Sequence, residues 1–395
     1  MNQHPVDLVR PPVAPLSPIA LLGRLIFYDA SLSRSGKLSC ASCHDPNHAY
    51  GPPGDVVVPR GGPTLAAEGA RAVPSLRYLD RIPNFGIGPD NPEAEGGTPS
   101  APRAGAGRTP LVPRGGLFWD GRANTLQTQA LAPLFNPVEM ANVDTQTVAR
   151  ALRRAPYAAQ FARLFGAETV RPDARLIDEA LFAVGRFESI DPSFHPYSSK
   201  YDAYLEGKAV LTPEEARGLA LFEDPAKGNC AACHLSRPTA DGRPPAFSDF
   251  QYEALGVPRN PALAPNHDPR YFDLGICGPF RTDLARDARY CGMFRTPSLR
   301  NAATRRVFFH NGVYHTLDQV LRFYVLRDTR PAEIYPRDSS GAVRRYDDLP
   351  EAYRGNVDTV DAPFGRHRGD PPALSDAEIR ALVAFLGTLT DDDLR

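Results

Sequence analysis

No apolar run in this chain approaches the roughly 20 residues that a membrane-crossing helix needs. The longest, IALLG at 19–23 and ALVAFLGTL at 381–389, fall well short. Net charge is also missing. Lys and Arg number 45 against 46 Asp and Glu, leaving about −1, so nothing marks nucleic acid or an anionic membrane surface as a partner. The opening MNQHPVDLVRPP has no apolar segment of the secretory type. Tryptophan occurs once, at Trp119, and methionine three times, at Met1, Met140 and Met293. Strand-like alternation is rare. What the chain does have is proline, 41 residues, about twice the usual share of roughly 5%. Many rigid turns between short elements follow. A length of 395 residues, 42% hydrophobic and 23% charged, suits a globular protein of two or three domains.

The six cysteines carry the chemistry. CASCH, Cys40 to His44, returns 190 residues later as CAACH, Cys230 to His234. C-x-x-C-H reads as an attachment site for c-type haem: two thiols add across the vinyl groups, and the next residue's imidazole sits under the iron. Zinc held by two C-x-x-C pairs leaves the histidine after both second cysteines unexplained. A thioredoxin-type redox pair requires a βαβ context that neither site has. Two covalent haems is the reading that uses every residue, with Cys40, Cys43 and His44 on one and Cys230, Cys233 and His234 on the other. Haem c is attached on the periplasmic side in bacteria, so the expected location is the periplasm, with a signal peptide already removed. In that oxidising space Cys277 and Cys291 can pair as a disulfide; two buried free thiols are the alternative.

Helical periodicity and caps mark the elements. A helix over 17–29 has Ser17 as cap and Pro18 in its first turn. A short helix covers 124–135, and 145–165 and 173–189 are periodic. Thr212, Pro213 and Glu215 open a helix as a capping box. Thr316 with Gln319, and Ser375 with Glu378, open two more. The helix before each haem motif is itself repeated, LGRLIFYD against RGLALFED, so a whole helix-plus-haem unit is duplicated. The expected class is all-α, two cytochrome c-like domains at 15–168 and 169–395 with long Pro/Gly-rich loops and little β structure. Segment 88–108 is close to low complexity and reads as a long surface loop.

Four segments, LFYDASLSRSGKLSCASCHDP, LFWDGRANTLQTQALAPLFNPVEM, FRTPSLRNAATRRVFFHNGVYHTLDQVLRFY and IRALVAFLGTLT, occur in this order. In them the chain resembles the bacterial dihaem cytochrome c peroxidase and MauG superfamily, over roughly 17–390 apart from 88–108. The resemblance implies that the first haem, on His44, reacts with hydrogen peroxide at an open face. That face would be lined by Gln129, Pro133 and Glu139, with Trp119 nearby, and Glu139 would be the carboxylate that moves the peroxide proton. Some relatives have a histidine in the following loop that closes this iron; here only His48 is present, too near His44 to reach the opposite face. The second iron, on His234, would take Tyr324 as its other ligand, eight residues after Thr316, where donor-fed peroxidases have Met and the MauG branch has Tyr. A phenolate favours the oxidised iron over the reduced one. His310 is the runner-up for that position.

Two departures stand out. Gly228 occupies the place where MauG-type chains have a relay tryptophan, leaving Trp119 or tyrosines for that role. The family's calcium site, normally served by an asparagine, meets Ala72 here, and Arg305 and Arg306 fall where backbone oxygens would hold the ion. A guanidinium in place of the cation is the reading this favours. The resemblance implies an enzyme that reaches a high-valent dihaem state with hydrogen peroxide and oxidises residues, Trp foremost, of a periplasmic partner protein. The alternatives are a peroxidase fed by a small cytochrome or cupredoxin, and a non-catalytic dihaem electron carrier. Monomer and homodimer are both compatible.

Overall fold

The computed structural model describes residues 2–89 and 111–394. The expected 88–108 loop therefore lies outside the described residues, except for Gly88 and Pro89. The chain is mostly helical with little sheet. Its main helices are α1 (Pro18–Phe27), α2 (Leu126–Phe135), α3 (Thr145–Arg154), α4 (Ala159–Phe165), α5 (Asp173–Ile190), α6 (Lys200–Leu205), α7 (Pro213–Glu223), α8 (Leu317–Leu326) and α9 (Asp376–Gly387). The expected caps form: Ser17 Oγ accepts from Ala20 N–H, and capping boxes close on Thr212–Glu215, Thr316–Gln319 and Ser375–Glu378. The periodic stretch 145–165 is two helices. Pro156 forces Ala155 into an extended conformation (φ −63°, ψ 147°), which ends α3. The short α6 has a Ser199–Asp202 capping box that the sequence reading passed over.

Two pairs of two-residue to four-residue strands complete the described part. In β1 (Gly86–Pro89) and β2 (Leu111–Arg114), Gly86 lies opposite Arg114. In β3 (Tyr252–Glu253) and β4 (Phe294–Arg295), Tyr252 lies opposite Arg295. Cys277 and Cys291 are disulfide-bonded, so the open choice between bridge and free thiols is resolved as a bridge.

The duplication seen in sequence is a duplication of packing. α1 crosses α5, and α7 crosses α9. At each crossing a glycine meets backbone: a Cβ on Gly23 would lie 1.9 Å from the Ala183 carbonyl oxygen, and one on Gly218 would lie 2.0 Å from that of Ala381. Four residues beyond each contact a phenylalanine packs on its counterpart, Phe27 against Phe187 at 5.6 Å and Phe222 against Phe385 at 5.2 Å. Around the first crossing grows a core from Leu22 to Phe194, and around the second a core from Tyr201 to Leu389. Because α5 contributes Leu176, Ile177, Ala183 and Phe187 to the first core, a division at 168/169 cuts that core in two. A junction within 195–200 leaves both whole. The segment before α1 packs on the second core through Leu8, with Val6 N–H donating to Leu205 O and Val9 N–H to Gly242 O.

Replacing Gly218 by valine forces α7 away from α9. The expected loss is about 3 kcal/mol, read as a lower denaturant midpoint, whereas Gly387→Ala, at a site open on all sides, leaves the midpoint within about 0.5 kcal/mol.

Candidate functional site: two cavities behind the repeated motifs

Each C-x-x-C-H motif forms a single turn at a helix-like corner, and its histidine is held by backbone. His44 Nδ1 lies 3.0 Å from Tyr50 O, and His234 Nδ1 lies 2.9 Å from Phe247 O. The cradles are copies. Tyr50 and Phe247 are both left-handed at φ 52°. Leu76 N–H and Leu299 N–H donate to those same carbonyls. Ser75 Oγ and Ser298 Oγ donate to Ala49 O and Ala246 O. A histidine fixed through Nδ1 on a carbonyl presents Nε2 for ligation, as metal-bound histidines do. Burial pushes both imidazoles down to about 4, so they are neutral over the working pH range. Burial likewise pushes Cys40 and Cys230 up to about 12.

A cavity opens over the first motif, lined by Cys40, Cys43, His44, Gln129, Pro133 and Glu139. A larger one opens over the second, lined by Cys230, Cys233, His234, Tyr324, His310 and Trp119. Two thiols, one imidazole and a mainly apolar lining in each cavity suit a haem there. Among the expected residues, Gln129, Pro133 and Glu139 meet His44. Trp119 does not. It lies on the wall of the second cavity, because Arg295 N–H of β4 donates to its carbonyl and its own Nε1–H donates to Ala72 O at 2.8 Å.

In the first cavity α2 carries Gln129 and Pro133, and the turn after it carries Glu139. Burial raises the Glu139 carboxyl, while Asn136 Nδ2, donating to Oε1 at 2.5 Å, and the charge of Arg122 pull it back. Arg122 shares Asp120 with Arg71, whose guanidinium also holds Asp273 beside the second cavity. The buried Glu188 of α5 also lines the first cavity, and its Oε2 has no protein partner. The sequence reading missed it, since a carboxylate on an amphipathic helix ordinarily faces solvent.

In the second cavity Tyr324 stacks on Phe364 at 5.5 Å, and the Arg327 guanidinium sits 3.6 Å from the centre of that Phe364 ring. Burial pushes the Tyr324 phenol well up. His310 stacks on Phe294 at 3.6 Å, and its Nε2 stays 3.9 Å from Asp348. His48 is turned outward onto Asp45 at 2.8 Å and does not line either cavity. A Cβ on Gly228 would lie 2.8 Å from Leu221 O, so this backbone does not admit a tryptophan there. Arg305 is half-buried and spans the two halves, with Nη2 donating to Val73 O at 3.0 Å and Nε to Val307 O at 3.3 Å. Among the described residues no group of three or more His, Cys, Asp or Glu side chains could hold a metal ion. No described helix is long and apolar enough to cross a membrane.

Comparisons with known proteins find relatives along most of the chain. Residues 18–210 match the family model of di-haem cytochrome c peroxidase. The methylamine utilization protein MauG of Paracoccus denitrificans is 33% identical over 383 residues, covering 94% of this chain and 88% of that one. The cytochrome c551 peroxidase of Nitrosomonas europaea is 27% identical, covering 80% of this chain and 75% of that one. The crystal structure of the diheme peroxidase BthA from Burkholderia thailandensis superposes with a TM-score of 0.83 at 38% identity, covering 98% of this chain and 90% of that one. With identity at this level over nearly the whole length, the chain belongs to the di-haem cytochrome c peroxidase and MauG family of hydrogen peroxide-dependent oxidoreductases.

Proposed function

We propose that the protein is a periplasmic, MauG-like enzyme that uses hydrogen peroxide to oxidise residues, tryptophan foremost, of a partner protein. It would do so with two unequal haem units joined within 195–200. The observation that carries this is the asymmetry of the two cavities: a half-buried carboxylate, Glu139, lines the first, and a half-buried phenol, Tyr324, lines the second. Cys40 and Cys43 would hold one haem covalently with His44 as ligand. Cys230 and Cys233 would hold the other, with His234 and Tyr324. Bound haem supplies iron that takes oxidising equivalents from peroxide, and the chain does the rest.

Glu139 receives the proton from one peroxide oxygen and returns it to the other, which leaves as water. The Asn136 amide fixes Oε1, so Oε2 is the atom for this transfer. Burial makes Glu139 a better proton acceptor than an exposed glutamate. Pro133 offers no ligating atom and keeps that face open; Gln129 supplies an amide to the same wall. On the other side, Phe364 stacks on the Tyr324 ring and is itself backed by the Arg327 guanidinium. Arg305 places a fixed positive charge on the Val73 and Val307 carbonyls, the position that the family resemblance gives to calcium. The second reading, a peroxidase fed by a donor protein, is favoured by relatives named cytochrome c peroxidases and disfavoured by Tyr324.

Adding one equivalent of hydrogen peroxide to the diferric protein is expected to bleach the absorption and Mössbauer signals of both haems in a long-lived way without any donor. Unchanged spectra, with fast turnover on reduced cytochrome c, would select the donor-fed peroxidase. Tyr324→Met should alter only the second haem's spectrum; no change would remove the ligand assignment.

Glu139→Gln should slow the reaction with peroxide by about 10²–10⁴-fold. Asn136→Ala removes the donor that stabilises the Glu139 carboxylate. Its acid form then persists to higher pH, so the acid limb of the rate profile moves up, which stopped-flow across pH 4–8 reads directly. A limb that stays put would take Glu139 out of the proton path.

A further inference from the structure

The two haem cradles differ at one atom that the known activity does not use. Where the second has Phe247, the first has Tyr50. Both residues hold the ligand histidine through their carbonyls, yet only Tyr50 carries a hydroxyl. That hydroxyl is 2.7 Å from Ser193 Oγ, and Ser193 in turn donates to Asp191 Oδ1 at 2.6 Å. Since Ser193 has spent its one proton on the carboxylate, Tyr50 is the donor to it. The Tyr50 ring is 2% exposed and stacks on Phe194 at 3.8 Å. Beside its hydroxyl lies that of Tyr28, a side chain 48% exposed at the end of α1. The helix repeat gives Glu223 as the second unit's counterpart of Tyr28. Phe27 lies edge-on to both tyrosines, at 5.4 and 5.9 Å. The first unit thus has two adjacent phenols running from the His44 carbonyl contact to the surface, with a proton acceptor attached; the second unit has neither phenol.

We propose that Tyr50 and Tyr28 form a redox relay that carries oxidising equivalents from the first haem site to the protein surface. The proposal rests on the peroxide-driven oxidation of a protein substrate put forward above. One electron leaves Tyr50 toward the haem site oxidised by peroxide. The phenolic proton moves to Ser193 Oγ as the Ser193 proton moves to Asp191. The Tyr50 radical then takes an electron and a proton from Tyr28, and the Tyr28 radical takes an electron and a proton from an oxidisable side chain at the surface. The net result is one electron moved inward and one proton on Asp191, which is part-exposed and passes it to water. This route does not need a tryptophan at Gly228, where no side chain fits.

The test uses the intact two-haem protein, freeze-quenched after one equivalent of hydrogen peroxide, with electron paramagnetic resonance for tyrosyl radical and peptide mapping of a nitroso spin-trap adduct. Wild type is expected to show the radical and an adduct on Tyr28. Tyr50→Phe should lose both. Tyr28→Phe should keep a radical but lose the surface adduct. Ser193→Ala should lower the radical yield several-fold and Ser193→Thr restore it, while the remote Tyr353→Phe changes nothing. A full radical yield or a Tyr28 adduct in Tyr50→Phe overturns the relay. A second arm replaces peroxide by photogenerated tris(bipyridine)ruthenium(III), which injects the hole from outside; a Tyr50 radical that needs Tyr28 is expected. Silence of both haems toward peroxide, with the ruthenium arm positive, would sink the enzymatic reading and leave the relay. Haems that respond while neither arm gives a Tyr50 radical would sink the relay alone.

Discussion

Everything in this fold is arranged around two contacts between a glycine and a backbone carbonyl. Gly23 on Ala183 and Gly218 on Ala381 let two pairs of helices approach until main chain touches main chain. A side chain at either place would set the helices apart and pull the phenylalanines beside them out of register. The C-x-x-C-H turn follows each first helix within 13 residues of its end, so the crossing also determines where the thiols and the imidazole stand. The cavities are what is left over when two such crossings are walled by proline-rich loops. Those loops have little regular structure of their own, and buried ion pairs hold them instead, such as Arg300 with Asp202 and Arg71 with Asp120 and Asp273. Arg300 also donates through Nε to Pro245 O at 2.8 Å, so a side chain satisfies a loop carbonyl that a helix or sheet would otherwise satisfy internally.

The helices were legible because their signals are local. Caps at Ser17, Thr212, Thr316 and Ser375, and apolar spacing between them, are short-range patterns that tertiary packing reinforced. The first cavity's residues were legible through one continuous motif, in which Gln129, Pro133 and Glu139 occupy one helix and its following turn. Trp119 was misplaced for a matching reason. It precedes that helix in the chain, but its backbone is captured by β4, a partner 176 residues away. The boundary at 168/169 missed because helix-to-helix crossing is not written locally: nothing in 173–190 says that its partner is α1 rather than the next helix. Glu188 and Phe364 were invisible for the same reason, each being a single residue brought into a cavity wall by distant packing.

The comparison of the two cradles separates what duplication preserved from what it released. Backbone roles persisted: the left-handed residue after each motif, the serine bonded to the carbonyl of the alanine before it, and the leucine amide on the carbonyl that holds the histidine are the same in both halves. Side chains facing the cavities did not. Selection acting on a repeated scaffold can change a ring, a carboxylate or a phenol without disturbing the hydrogen bonds that hold the histidine. This is how one supersecondary unit can carry two differently lined cavities.

One carboxylate near the end of the chain has a further consequence. Asp391 accepts from Tyr78 OH at 2.6 Å and Arg77 at 3.1 Å on one side, and from Asn301 Nδ2 at 2.7 Å on the other, while Ser198 N–H at the junction donates to its second oxygen at 3.1 Å. Loops from both cradles are therefore bonded directly to a single anion. Hinge motion between the halves would have to strip the Tyr78 and Arg77 donors from a fully buried charge. The separation between the two cavities is accordingly held by one aspartate, and an electron-transfer rate between groups bound in them would inherit its steep distance dependence from that side chain.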